Sequence, residues 1–133
     1  MSKIALDTNI LIYLHDVVKS NKRDIANHLI VSSPLICNQV ISEYLNVCNK
    51  RLKMPKQDCL NSLLSWLPYC EQSVVDLSTY SDALKLIDKY QFQLFDAIIV
   101  SSALQANCNI LYSEDMQHNL TVNDQLKIIN PFI

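Results

Sequence analysis

The chain has 133 residues, half of them hydrophobic, which is typical of one folded domain with a sizeable core. Its formal net charge of −2 excludes a globally basic nucleic-acid-binding protein. Because the sequence contains no glycine, it cannot form a Walker phosphate loop or a G-x-G-x-x-G dinucleotide motif. Five cysteines with no C-x-x-C pair indicate reduced thiols and a cytoplasmic protein. No apolar stretch reaches ~18 residues, so we expect no membrane span.

Short apolar strands alternate with amphipathic helices along the chain. The first half predicts a strand at 3–6, helices at 9–15 and 22–31, a strand at 34–37, and a helix at 39–51 with Asn38 as its N-cap. The second half predicts a helix from Pro55 to Leu67, a strand at 73–77, a helix capped by Ser78 that ends near Tyr90, a helix at 94–106, and strands at 109–112 and 126–129 with a short helix between them.

This alternation is typical of an α/β fold. It predicts three layers, with a central parallel sheet of about five short strands between helices on both faces. We expect residues 1–133 to form a single domain, since no linker, repeat or low-complexity segment interrupts the pattern. In the absence of glycine, breaks between elements need asparagine, the next best residue for a left-handed backbone. Six asparagines lie at expected breaks: Asn21, Asn49, Asn107, Asn109, Asn119 and Asn123.

Acidic residues follow two of the predicted strands. Asp7 comes directly after the first strand, and Asp115 lies shortly after the strand that ends at Tyr112. Because ligands of parallel α/β sheets bind beyond the carboxyl ends of the strands, we expect the two side chains to meet at one edge of the sheet. Each also has a structural explanation, since Asp7 can cap the following helix and Asp115 can belong to an ordinary acidic turn.

Asp96 and Glu43 are further candidates on predicted helices. Asp96 lies near a helix N-terminus, which by itself favours an acidic residue, and Glu43 borders an apolar stripe, where a surface residue is the simplest interpretation. Carboxylates that converge in a cleft repel one another unless a cation neutralises them or some are protonated. Oxygen ligands favour Mg²⁺ or Mn²⁺ over zinc. The three histidines are scattered and have a structural or surface interpretation: His15, His28 and His118.

Four segments resemble, in order, the acidic motifs of PIN domains. They are I-A-L-D-T-N-I-L-I-Y at 4–13, Q-V-I-S-E-Y at 39–44, F-D-A-I-I at 95–99 and I-L-Y-S-E-D-M-Q at 110–117. The tail at 128–132 is similar to the ending of VapC-type toxins. The resemblance covers essentially the whole chain. Two departures are Asn119, near a position where the family often has glycine, and Ser101 and Ser102, where it often has alanine; neither removes a carboxylate.

The resemblance implies a metal-dependent endoribonuclease, the toxin of a VapBC toxin–antitoxin pair, with tRNA or rRNA as its expected substrate. Its catalytic carboxylates would be Asp7, Glu43, Asp96 and Asp115. Of these, Asp7, Asp96 and Asp115 would bind one or two Mg²⁺ or Mn²⁺ ions. Asn9 and Ser113 match accessory polar positions, and Glu114 stays open as a further ligand. A VapB-type antitoxin that blocks the cleft and binds operator DNA is also implied, as is a homodimer.

Basic residues are concentrated in one part of the chain. Seven of the eleven lysines and arginines lie between positions 19 and 56: Lys19, Lys22, Arg23, Lys50, Arg51, Lys53 and Lys56. Together they can form a positive face that attracts RNA phosphates, and the candidate contacts are Lys22, Arg23, Lys50, Arg51 and Lys53. A set of solvated helix ends explains the same pattern equally well.

Three other function classes deserve comparison. A receiver-like phosphoacceptor domain would have an acidic pair after the first strand, and although Asp76 lies near the third strand, Asp7 has no acidic neighbour. A phosphatase of the haloacid dehalogenase type would have Asp-x-Asp there, whereas this chain has Asp7-Thr8-Asn9. A PIN-fold module that binds RNA or protein without cleaving it is the remaining alternative, and only the retention of all four carboxylates argues against it.

Overall fold

The computed structural model describes residues 2–17 and 21–133, so the basic residue Lys19 lies outside the described residues. Its strands are β1 (Ile4–Leu6), β2 (Leu35–Cys37), β3 (Glu71–Ser73), β4 (Ile110–Tyr112), β5 (Thr121–Val122) and β6 (Leu126–Ile129). Its α-helices are α1 (Thr8–Ile12), α2 (Asn21–Ile30), α3 (Asn38–Lys50), α4 (Lys56–Trp66), α5 (Leu77–Tyr90) and α6 (Leu94–Gln105). Short 3₁₀ helices at Tyr13–His15 and Leu67–Tyr69 continue α1 and α4.

The strands form one sheet in the order β3-β2-β1-β4-β6-β5. β1 pairs in parallel with β2 and β4, and Ala5 lies between Leu35 on one side and Leu111 on the other. Only β5, at the edge, runs antiparallel to its neighbour in the described sheet. The α/β fold with a mainly parallel sheet is therefore confirmed. β5 was not predicted, since its two residues are too few to produce a recognisable pattern.

Helices cover both faces of the sheet. All three residues of β2 are buried, and successive side chains of a strand point to opposite faces, so neither face of that strand meets solvent. The largest fully buried side chains in the described residues include Ile36 of β2, Leu111 of β4 and Tyr44 of α3. Seven consecutive residues of α6, from Ala97 to Ala103, are also buried. Asp96 lies in the first turn of α6, directly before this buried stretch, so the helix that carries it is anchored in the core.

Three predictions about individual elements were wrong. β3 covers Glu71–Ser73 and not 73–77, because pairing with β2 selects the polar edge segment over the apolar pair that follows it. α5 has Asp76 as its N-cap, in a capping box with Thr79, where Ser78 was expected. The short helix predicted after β4 is absent from this described segment, which forms an irregular loop leading to β5.

Two asparagine predictions can also be assessed. Cys37, not Asn38, is the N-cap of α3, and the Asn38 side chain instead accepts a hydrogen bond from the Val75 backbone N–H. Of the six asparagines at expected breaks, three have positive φ and three do not. The first group is Asn107, Asn119 and Asn123, and the second is Asn21, Asn49 and Asn109. Side chains explain two of the failures: Asn109 Oδ1 accepts from the Lys3 N–H, and Asn49 Nδ2 donates to the Met54 carbonyl.

In the part of the chain that the structure describes, none of the helices combines the length and the hydropathy that crossing a bilayer requires.

The packing around β4 gives a stability test. Leu111 is fully buried, so Leu111→Ala should lower the free energy of unfolding by ~2–5 kcal/mol. Leu94→Ala is the matched control, because Leu94 is 61% exposed at the start of α6 and its truncation should cost only ~0.5 kcal/mol or less. Urea unfolding followed by circular dichroism measures both. Equal losses in the two variants would show that β4 does not lie at the centre of the core.

Candidate active site

Asp7 occupies the junction between β1 and α1. Its backbone N–H donates to the Tyr112 carbonyl (3.0 Å), which extends the pairing of β1 with β4 by one residue. Its Oδ1 accepts a hydrogen bond from the Thr8 N–H (2.7 Å), so Asp7 is the N-cap of α1. The residue is only 4% exposed. The structural explanation for Asp7 is therefore correct, and the cap also points a buried carboxylate toward the carboxyl edge of the sheet.

The second oxygen of Asp7 is held by two side chains. Ser113 Oγ donates to Asp7 Oδ2 (2.7 Å), and Asn9 Nδ2 donates to the same atom (3.1 Å). Ser113 is itself fully buried, and its Oγ accepts from the Met116 N–H (3.2 Å), which closes the loop after β4. Both predicted accessory residues thus contact Asp7 directly.

Asn9 also connects Asp7 to Asp115. Its Nδ2 donates to Asp115 Oδ2 (3.1 Å) as well as to Asp7, and its Oδ1 accepts from the Glu114 N–H (3.1 Å). An amide nitrogen has two hydrogens, so one side chain can bridge two carboxylates. The sequence predicted that Asp7 and Asp115 meet at one edge of the sheet, and in the structure a single amide joins them.

Glu43 is half buried and not a free surface residue. Its Oε2 accepts from Thr8 Oγ1 (2.7 Å), and its Oε1 accepts from Gln39 Nε2 (3.0 Å). Sequence reasoning missed both partners. The spacing of four residues between Gln39 and Glu43 on α3 was a usable signal, since such pairs face each other on a helix. No sequence signal indicated Thr8, because its contact with Glu43 depends on how α1 packs against α3.

The four carboxylates influence one another electrostatically. Burial, together with the negative charges of Asp96 and Glu43, raises the pKa of Asp7 to about 6, although hydrogen bonds from Ser113 and Thr8 oppose the increase. Burial also raises the pKa of Asp96, and Glu43 and Asp115 add to the increase. The side chains are therefore close enough to repel, as four carboxylates in one cleft should.

A cleft of about 720 Å³ contains all four carboxylates. Its lining also includes Thr8, Asn9, Tyr13, Arg51, Phe95 and Glu114. Phe95 is 53% exposed beside Asp96, which is unusual for a large aromatic side chain. Sequence reasoning did not select Phe95, and its position directly before Asp96 was the available signal. The cleft thus has an acidic interior, and its lining also contains the aromatic rings of Tyr13 and Phe95 and the guanidinium of Arg51.

The donor chemistry suits a hard divalent cation. Every candidate ligand is a carboxylate oxygen, the type that Mg²⁺ and Mn²⁺ prefer. Burial and mutual repulsion raise the pKa of Asp7 and Asp96, so a bound cation would stabilise their ionised forms. Within residues 2–17 and 21–133, however, no group of three acidic, histidine or cysteine side chains is already arranged to hold an ion. The donor chemistry of the residues present fits Mg²⁺ or Mn²⁺, ions that one or two carboxylates can hold together with water.

The predicted RNA-binding residues occupy different surroundings. Arg51 lines the cleft, and Lys50 and Lys53 are exposed near it in the chain. Lys22 instead forms an ion pair with Glu114 (2.7 Å), and Arg23 donates to the Asp16 carbonyl (2.9 Å). Two of the five predicted contacts, Lys22 and Arg23, therefore already have hydrogen-bond partners within the protein.

The histidines take no part in the carboxylate network. His15 lines the cleft, but its Nε2 contacts the hydroxyls of Tyr44 and Ser62 on the helices behind it. His118 Nδ1 accepts from the Asn130 N–H (2.9 Å), and His28 is exposed on α2.

Comparison with known families identifies the fold. The sequence model described as "PIN domain" matches residues 4–121, which include all four carboxylates. The chain belongs to the PIN-domain family. This family consists of nucleases that generally use divalent metal ions. A search of curated protein sequences found no match.

Solved structures similar to this PIN domain are toxins of toxin–antitoxin systems. VapC20 of Mycobacterium tuberculosis, described as a sarcin–ricin loop cleaving toxin, is 17% identical over 85% of this chain and 90% of its own, with a TM-score of 0.68. A toxin–antitoxin complex from Klebsiella pneumoniae is 20% identical over 98% of both chains, with a TM-score of 0.70. VapBC2 of Rickettsia felis, bound to a promoter DNA fragment, is 16% identical over 96% of this chain and 98% of its own, with a TM-score of 0.71. At these identities the similarity establishes a shared fold.

The raised pKa of Asp7 predicts how stability depends on pH in the absence of metal. The folded state disfavours ionised Asp7, so the free energy of unfolding should fall as the pH rises from its ordinary pKa of 3.8 to above about 6. A shift of this size corresponds to roughly 3 kcal/mol. The amide side chain introduced by Asp7→Asn does not ionise, so this variant does not lose stability in that way. Its free energy of unfolding relative to the wild type should therefore increase by about that amount between about pH 4 and pH 8.

Urea unfolding in EDTA measures this difference. Hydrogen bonds lost in Asp7→Asn add an offset that does not vary with pH, so the slope alone reports the burial of the charge. A constant difference across the range would mean that Asp7 is not buried.

Proposed function

We propose that this PIN domain is a metal-dependent endoribonuclease and the toxin of a VapBC-type toxin–antitoxin pair. The observation that carries the proposal is the hydrogen-bond network in which Asn9 and Ser113 hold Asp7 and Asn9 also holds Asp115. Four carboxylates share one cleft with no described lysine or arginine bonded to any of these four. Such an arrangement raises the free energy of the folded protein unless the carboxylates bind a cation, which argues for a function that uses one.

The chain's own residues would prepare the cleft for phosphodiester hydrolysis. Asp7, Asp96 and Asp115 would hold Mg²⁺ or Mn²⁺, and when bound such an ion neutralises phosphate charge and makes water a better nucleophile. Asn9 and Ser113 orient Asp7, so that Oδ2 is occupied while Oδ1 accepts only the Thr8 N–H. Gln39 and Thr8 hold the two oxygens of Glu43, which would orient water.

Two other side chains of the cleft suit RNA. Arg51 can bind a backbone phosphate, with Lys50 and Lys53 adding positive charge nearby. The exposed ring of Phe95, next to Asp96, offers a surface on which a base can stack. We propose a structured tRNA or rRNA as substrate, by analogy with the M. tuberculosis toxin, whose name refers to the sarcin–ricin loop.

The partner proposals rest on the structural neighbours and on exposed apolar residues. A VapB-type antitoxin would cover the cleft, and operator DNA would be bound only through it, as the R. felis complex suggests. Large exposed apolar side chains form one stripe on α4, at Leu60 and Leu64, and another on α5, at Leu77, Tyr80 and Leu84. Exposed apolar stripes of this kind are typical of interaction surfaces, and we assign them to the antitoxin and a homodimer. We also propose that residues 1–133 form one domain and that the protein acts in the cytoplasm, where tRNA and rRNA are located.

A PIN-fold module that binds RNA without cleaving it is the second candidate. It is favoured by one observation, the lack among the described residues of three side chains already arranged to hold an ion. Incubation of the purified protein with total RNA in Mg²⁺, Mn²⁺ or EDTA separates the two functions. Cleavage that requires the metal supports the nuclease, and binding without cleavage in all three conditions supports the module.

Removal of one carboxylate should strongly reduce cleavage without preventing folding. Asp96→Asn and Asp7→Asn should each reduce kcat at least ~100-fold, because the charge that positions the reacting groups is lost. Asp82→Asn on α5 is the matched control, since Asp82 lies outside the cleft and half of its side chain is exposed. Cleavage of labelled RNA measures the three rates. Activity in Asp7→Asn equal to that of the wild type would disprove the assigned site.

The two proposed RNA contacts should affect binding more than chemistry. Arg51→Ala should raise KM and reduce the salt dependence of binding by about one counterion, since one phosphate contact is lost. Phe95→Ala should raise KM by ~10-fold, equivalent to about 1–3 kcal/mol of stacking, without changing the salt dependence. Lys85→Ala on α5 is the control for a lost surface charge. Unchanged KM in both variants would mean that RNA enters elsewhere.

A further inference from the structure

Four residues form a cluster at the rim of the cleft, beside Asp115. We call Tyr13, Lys22, Glu114 and Phe132 the rim cluster. They come from the 3₁₀ helix after α1, from α2, from the loop after β4 and from the C-terminal segment. Glu114 lies 101 positions from Tyr13 and 92 from Lys22, so the cluster joins the first part of the chain to the last.

Both carboxylate oxygens of Glu114 are bonded within the rim cluster. Oε1 accepts from the Tyr13 hydroxyl (2.6 Å), and Oε2 accepts from Lys22 Nζ (2.7 Å). Lys22 also donates to the Tyr13 hydroxyl (3.1 Å), which closes a triangle. Charge-assisted hydrogen bonds of this length are among the stronger ones in proteins. Although Glu114 is adjacent to Asp115 in sequence, its side chain is bound by an ammonium and a phenol.

Aromatic packing holds Lys22 in this position. Its ammonium lies 4.8 Å from the centre of the Tyr13 ring and 5.3 Å from that of Phe132. The two rings contact each other edge to face, with centres 5.0 Å apart. A cation within about 6 Å of two aromatic rings is attracted by both. Lys22 is therefore fixed by contacts on several sides, which leaves it poorly suited to the role of a mobile RNA contact.

The backbone of Glu114 connects this cluster to the carboxylates. The Glu114 N–H donates to Asn9 Oδ1, so the Asn9 Nδ2 must face Asp7 and Asp115. A reversed amide would place its oxygen against two carboxylates and its NH₂ against an N–H donor. The position of the Glu114 backbone thus decides the orientation of the one side chain that bridges Asp7 and Asp115.

We infer that Glu114 is a positioning residue and not a metal ligand: Lys22 and Tyr13 hold its side chain so that its backbone N–H orients the Asn9 amide between Asp7 and Asp115. The effect on catalysis rests on the proposed ribonuclease function. The effect on Asn9 does not, and it can be measured in a protein that cleaves nothing.

Kinetics of three variants test the catalytic part. Glu114→Gln and Lys22→Met should each lower kcat by about 10-fold, the usual order for residues that orient catalytic groups, with KM little changed. The double variant should be no worse than either alone, because both changes break the same link. Lys22→Arg, which keeps the charge, should recover most of the activity. Glu71→Gln is the matched control, since Glu71 pairs with Lys3 (3.3 Å) at the opposite end of β1.

Binding of Mn²⁺ alone separates a positioning residue from a ligand. If Glu114 bound the metal, Glu114→Gln would weaken Mn²⁺ binding while Lys22→Met, which frees the carboxylate, would not. That pattern would overturn the inference. Parallel behaviour of the two variants supports it, whether Mn²⁺ affinity falls in both or in neither.

NMR of the metal-free full chain tests the orientation of Asn9 directly. The ¹⁵N side-chain amide signals of Asn9 should shift in Glu114→Gln, in Lys22→Met and in Tyr13→Phe, and should not shift in Glu71→Gln. Tyr13→Phe removes one hydroxyl only, so it keeps the test decisive if Glu114→Gln fails to fold. Unchanged Asn9 signals in all folded rim-cluster variants would overturn the inference even if the wild type cleaves RNA. Shifted signals in a protein that cleaves no RNA would uphold it and reject the proposed function.

Discussion

The structure around the cleft depends on one buried carboxylate, Asp7. An ionised group with so little exposure costs several kcal/mol of solvation, and about that much must be returned by donors or by a cation. Three donors are supplied: the first N–H of α1, the Ser113 hydroxyl and the Asn9 amide. They come from α1, which follows β1, and from the loop that follows β4, so the need to satisfy Asp7 fixes where α1 begins and how that loop closes. The pKa of Asp7 stays above its ordinary value despite these donors, so a nearby positive charge would stabilise its ionised form.

Much of the fold could be predicted because its signals are local. The apolar strands at β1, β2, β4 and β6 and the amphipathic stripes of α3 and α5 are visible in windows of a few residues. β3 was displaced because its residues are polar and exposed, and only pairing with β2 makes them a strand. β5 and the irregular loop before it were missed for the same reason, since the partner strand and not the segment decides the conformation.

In the site too, the residues placed by local signals were predicted and the contacts that depend on tertiary packing were not. Asp7 and Asp115 could be placed together from strand ends, because topology brings the carboxyl ends of parallel strands to one edge. Glu43 and Asp96 were selected largely by family resemblance, and the structure brings them into the same cleft as the other two. The contacts of Thr8 with Glu43 and of Lys22 with Glu114 join residues 35 and 92 positions apart. No local pattern encodes such pairs, so the sequence did not reveal the ion pair between Lys22 and Glu114.

The absence of glycine has a consequence for the unfolded chain. Seven described residues have positive φ, and each carries a side chain that makes this conformation unfavourable by ~1–2 kcal/mol for an ordinary residue and less for asparagine. Glycine at these positions would remove that penalty. It would also give the unfolded chain more conformations, which opposes folding by ~0.4–1 kcal/mol per position. The native backbone is therefore less favourable at these positions, while the denatured chain has fewer conformations to lose. The largest native-state penalties fall on Ser33, Lys53 and Gln91, which lack the tolerance of asparagine and aspartate for positive φ.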